Sequence, residues 1–77
     1  MENFGKRLKE VRLNKGLTLM GLAFGVYTET GSTLAYTQYL KYEDGKIFPS
    51  LKTFCAICKV LDVSADYLLG LSDKEEK

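Results

Sequence analysis

The chain of 77 residues has no histidine, two cysteines and one proline. Without histidine, the C-x-x-C pair Cys55 and Cys58 cannot complete a nitrogen–sulfur tetrahedral zinc site within one chain. The pair also falls inside a helical pattern and not at a helix start, where a thiolate would be stabilised. Free cysteine is a common small core filler, and Cys58 reads that way. No nucleophile–base pair and no phosphate-binding glycine loop is present, so enzyme chemistry has no support. No metal, cofactor or small-molecule ligand is expected. No apolar run approaches the roughly 20 residues of a membrane span. Residues 2–16 are mainly polar and charged, so no signal-peptide pattern opens the chain and a cytoplasmic location is expected.

What is present suits one small soluble domain. Apolar residues make up 45% and charged residues 27%, an ordinary globular balance. A chain this short buries only a modest core. Net charge is +1 and names no partner by itself. Its distribution is uneven. Lys6, Arg7, Lys9, Arg12 and Lys15 face only Glu2 and Glu10 in the first fifteen residues, a local charge of +3. Such a segment suits an anionic surface, and equally a solubilised surface helix.

Phe4, Leu8 and Val11 share one helical face, which predicts a helix over 3–15 closed by Gly16. Thr18 is an N-cap, with Leu17 and Leu22 as its hydrophobic staple. The second helix carries Leu22 and Ala23, is weakened by Gly21 and Gly25, and is expected to end between Val26 and Thr28. Residues 27–33, YTETGST, show no apolar period and read as a surface loop. Ser32 or Thr33 is the expected cap of a third helix, with Ala35, Tyr39 and Tyr42 on one face and its end at Gly45. After the Pro49 loop, Ser50 caps a fourth helix with Leu51, Phe54, Cys58 and Leu61 on its apolar face. Ser64 caps a fifth, stapled by Val63 and Leu68, with Tyr67, Leu68 and Leu71 on its apolar side. The expected class is all-α: five short helices in one domain over 1–71, then a charged flexible tail over 72–77.

Three stretches carry a family resemblance: FGKRLKEVRLNKGLT (4–18), YLKYEDGKIFPSL (39–51) and LDVSADYLLG (61–70). In that order and spacing the chain resembles the phage repressor/Cro (XRE-type) helix-turn-helix family. The resemblance implies a five-helix lambda-repressor-like DNA-binding domain, a sequence-specific regulator from a phage or mobile element. Double-stranded DNA would be its partner, bound as a homodimer on a two-fold operator. It places the third helix in the major groove, with Tyr36, Thr37, Gln38 and Lys41 at base edges. Thr18, Lys46 and Ser50 fall where the family grips phosphate. Arg12 and Glu43 fall where it pairs charges between the first and third helices.

Two departures stand out. Leu19 occupies a position usually polar and often glutamine, which removes one DNA contact. Between Ala23 and Leu34 the chain is about six residues longer than the usual short joint. The extra length is expected as a mobile loop near 27–33 on the DNA-facing side, which adds backbone contacts or orders on binding. The groove-facing surface is also partly apolar, through Tyr36 and Leu40. That suits thymine methyl groups, and it equally suits a helix-turn-helix module used to bind another protein.

Overall fold

The computed structural model describes residues 2–76, and those residues form five helices and no strand. They are α1 Glu2–Asn14, α2 Leu19–Thr30, α3 Tyr36–Glu43, α4 Leu51–Leu61 and α5 Ala65–Leu68. The described residues are all-α, five short helices. α2 packs along α4, α3 lies against α1 and α2, and α5 lies against α1.

The core is built from the apolar positions of each helix. Phe4, Leu8 and Val11 of α1 meet Leu22 and Val26 of α2, Tyr39 and Tyr42 of α3, and Phe54, Ile57, Cys58 and Leu61 of α4. Val63 and Leu68 close it from either side of the α5 cap Ser64. Three predicted apolar positions lie outside. Ala35 precedes the first turn of α3 and is exposed. Leu51 occupies the exposed first turn of α4. α5 is a single turn ending at Leu68, so Leu71 lies beyond it and faces solvent.

Close backbone approach explains two glycines. A Cβ on Gly5 would collide with the carbonyl oxygens of Tyr42 and Glu43, so α1 touches the end of α3 directly. A Cβ on Gly25 would stand 2.8 Å from Val60 Cγ1, so α2 and α4 meet there. The glycine that weakens α2 as an isolated helix also lets it dock.

The expected loop over 27–33 is mostly helix. α2 continues to Thr30, and only residues 31–35 connect it to α3. Val26 is buried one turn beyond Leu22, which keeps this part of α2 on the core. The threonines that read as loop formers bond back into the helix. Thr28 Oγ1 donates to Gly25 O at 2.7 Å, and Thr30 Oγ1 to Val26 O at 2.9 Å. Glu29 reaches Lys59 of α4 at 3.7 Å. The helix stops where Gly31 takes φ 74°, with its N–H on Tyr27 O. Slow amide hydrogen exchange is therefore expected at residues 28–31 in the free protein. Exchange there as fast as in an unfolded peptide would contradict the extended helix.

The α3 cap also differs from expectation. Neither Ser32 nor Thr33 holds it. Ala35 is the N-cap and makes no side-chain bond, while Ser32 N–H donates to Thr30 Oγ1 at 3.1 Å. At its other end α3 terminates at Glu43, with Asp44 as C-cap, before Gly45.

A buried ion pair joins α1 to α3. Arg12 Nε donates to Glu43 Oε2 at 2.6 Å and Nη2 to Oε1 at 3.2 Å, while Nη1 donates to Leu17 O at 2.7 Å. The fork matches the carboxylate on both oxygens, the strongest geometry for such a pair. Both side chains are buried, so removing one leaves the other desolvated and alone. Glu43→Ala is expected to cost about 3–5 kcal/mol, a large share of the stability of so small a domain. Urea denaturation reads this as a much lower midpoint; an unchanged midpoint would contradict it.

Candidate nucleic-acid interface

α3 has two sides. Tyr39, Tyr42 and Glu43 face inward, while Tyr36, Thr37, Leu40 and Lys41 face solvent. Gln38 is half-buried at the border. Three of the four base-edge candidates therefore share the open face, and the fourth stands at its edge. The start of α3 has no side-chain cap, so its first N–H groups are free of side-chain acceptors.

The phosphate candidates sit at three junctions. Thr18 caps α2, its Oγ1 accepting from Gly21 N at 3.0 Å. Ser50 caps α4, its Oγ accepting from Thr53 N at 3.3 Å. Both side chains are exposed but already serve a helix end. Lys46 lies in the loop after α3, where its N–H donates to Lys41 O at 3.0 Å. That loop is pinned by Phe48, whose ring lies 4.7 Å from Phe4 and 5.5 Å from Phe54 between centroids. The Lys46 side chain projects from an anchored backbone.

Beside this face lies a feature that sequence reasoning missed. Met20, Phe24 and Tyr27 form a stripe along α2, and with Thr33, Leu34 and Tyr36 they line a shallow apolar groove. Met20 is 67% exposed and Phe24 68%. The signal was available: the stripe has helical spacing at i, i+4 and i+7. Between residues 16 and 40, Glu29 is the one residue among Asp, Glu, Lys and Arg.

Away from this face, Cys55 is exposed and Cys58 buried. Among the described residues, no cluster of three or more His, Cys, Asp or Glu could hold a metal ion. Arg7 ties α1 to the end of the chain. Its Nη1 donates to Tyr67 O and Ser72 O, each at 2.7 Å, and its guanidinium covers the Tyr67 ring at 4.2 Å. No helix is long and apolar enough to cross a membrane among the described residues.

Behind α3, the Tyr39 hydroxyl is buried without a hydrogen-bond partner. Burial, and then the neighbouring Tyr42, raises its pKa above the ordinary 10.0. The folded protein thus favours the neutral phenol, and the stability linked to it is present below about pH 10 and lost as pH rises further. Tyr39→Phe removes an unpaired buried hydroxyl. It is expected to leave stability at pH 7 unchanged or raise it by about 1 kcal/mol, and to lessen the alkaline loss. Thermal melts of both proteins at neutral and alkaline pH check this. Marked destabilisation by Tyr39→Phe at pH 7 would show that the hydroxyl is bonded.

No protein-family model matches the chain. Over 67 residues, 86% of its length, the chain is 42% identical to the SPbeta prophage-derived uncharacterized HTH-type transcriptional regulator YonR of Bacillus subtilis (strain 168). The chain spans 56% of that protein.

Proposed function

We propose that the chain is a sequence-specific DNA-binding transcriptional regulator of repressor/Cro type, with α3 in the major groove. The observation that carries this reading is the two-sided α3. Its inner side is locked by Tyr39, Tyr42 and the Glu43–Arg12 pair, which leaves Tyr36, Thr37 and Lys41 outward on a rigid mount. The similarity to a regulator of the helix-turn-helix type supports it. No chemical step is involved; the protein acts by occupying an operator in the cytoplasm of a host of phage or mobile-element DNA.

Lys41 donates to guanine and Gln38 pairs with adenine in this reading, with Tyr36 and Thr37 at neighbouring base edges. Lys46, Thr18 and Ser50 meet phosphates and set register. Two modules side by side on a two-fold operator supply the contact area that one lacks. Residues 72–77 form a charged tail that takes no part in base reading.

A second reading, a helix-turn-helix module that binds another protein, is favoured by one observation. The largest exposed apolar side chains of α2 adjoin the reading helix.

A binding selection from genomic fragments at two salt concentrations separates the two. Specific, salt-sensitive enrichment is expected, and its absence would remove the DNA reading. On a selected duplex, Lys41→Ala and Gln38→Ala are each expected to lower discrimination by about 1–3 kcal/mol without altering the fold. Lys46→Ala is expected to weaken all duplexes alike and make the log–log salt slope shallower by about one. If all three variants bind as wild type, α3 is not the reader.

A further inference from the structure

We propose that residues 72–75 form a strap that latches α5 onto α1 through Arg7, and that strap and α5 open and close as one unit. In the sequence these residues read as part of a charged flexible tail. In the fold they are held at both ends of α5.

α5 is the element that needs a latch. It is one turn, Ala65–Leu68, and a helix so short has no stability of its own. Yet its Leu68 is fully buried and closes the core. Beyond it Gly70, at φ 81°, turns the chain back, with its N–H on Tyr67 O and the Leu71 N–H on Asp66 O. The chain then returns along α5 to its start. There the N–H of the N-cap Ser64 donates to Glu75 O at 2.7 Å.

Arg7 fastens the other end. Its Nη1 donates to two carbonyls at 2.7 Å each, Tyr67 O in α5 and Ser72 O at the start of the strap. One guanidinium nitrogen therefore joins α1, α5 and the strap. The Arg7 Cζ stands 4.2 Å from the Tyr67 ring centroid, and the side chain is only 19% exposed. A planar fork makes these bonds and the aromatic contact together, whereas a lysine ammonium is a point charge on a flexible stem. Arg7 also reaches Asp73 Oδ1 at 3.2 Å, but the Asp73 side chain is fully exposed and water screens the pair. The latch works by carbonyl capture and ring contact, not by charge pairing.

The Arg7 bonds and the Ser64–Glu75 bond share no atom and lie at opposite ends of the strap. Release at Arg7 frees Ser72, and the strap then swings away from Ser64. α5 is left with its side-chain cap and Leu68 alone. Both arginines of α1 are thus committed within the fold, Arg7 to the strap and Arg12 to Glu43. The basic start of the chain presents lysines to solvent: Lys6, Lys9 and Lys15. The latch uses none of the residues assigned to DNA, so it stands or falls apart from that reading.

Native-state amide hydrogen exchange of the full chain, read by NMR in the absence of DNA, tests the latch. In wild type the Ser64, Leu68 and Leu69 amides are expected to be protected. Arg7→Lys keeps the charge and loses the fork. It is expected to speed exchange at all three at least about tenfold, Ser64 included although Arg7 does not touch it. Amides of α2 and α4 are expected to exchange as in wild type, and Asp73→Asn is expected to leave every amide unchanged. A Ser64 amide that exchanges in wild type as fast as in an unfolded peptide overturns the strap. So does a Ser64 amide unmoved by Arg7→Lys, because the two ends then do not open together. Equal acceleration across α2 and α4 overturns the separate unit, since α5 then opens only with the whole fold. An Asp73→Asn protein that matches Arg7→Lys overturns carbonyl capture in favour of the ion pair.

Discussion

The fork between Arg12 and Glu43 holds three parts of the chain at one point. Arg12 comes from the last turn of α1, Glu43 ends α3, and Leu17 O lies in the turn before α2. With all three fixed, the roll of α3 is set: Tyr39 and Tyr42 go under α1, and Tyr36 and Lys41 face outward. Gly5 reinforces this one layer away, where α1 backbone touches the Tyr42 and Glu43 carbonyls. A buried pair is a costly way to gain stability, since desolvation offsets much of its attraction. It also constrains orientation, since both carboxylate oxygens of Glu43 are held by the Arg12 guanidinium.

The long α2 takes up most of the stretch that reads as a loop in the sequence. Residues 27–30 extend a helix already anchored by Leu22 and Val26, and Gly31 ends it. The core is untouched, and the connection to α3 stays short. What changes is the surface. Helical periodicity aligns Tyr27 with Met20 and Phe24, and the outer face of α3 has an apolar neighbour with no charge of its own.

Much of the fold was legible in the residues. The i, i+4 and i+7 spacing of Phe4, Leu8 and Val11 marked α1, and Thr18, Ser50 and Ser64 marked three helix starts by their capping chemistry. The misreadings share a cause. Thr28 and Thr30 look like loop residues because their hydroxyls compete with backbone bonding, yet here they bond back within the helix. Ser32 and Thr33 look like caps, yet the chain turns into α3 only at Ala35. In each case local preference is overruled by where the core lets the backbone run. The groove was invisible for another reason: Met20, Phe24 and Tyr27 have the spacing of a buried face, and only the packing of α2 on α4 turns them outward. The two-sided character of α3 was legible from Tyr39 and Tyr42, whereas the contacts its outer side makes depend on a ligand that sequence cannot supply.

A single NMR titration tests most directly whether the clamped α3 presents its outer side to DNA. With a duplex recovered from the genomic selection, backbone amide shifts of Tyr36, Thr37, Gln38, Lys41 and Lys46 should move first and furthest. Those of α4 beyond its first turn, and of α5, should stay nearly still. Shifts concentrated on α4 and α5, with α3 unmoved, would contradict it.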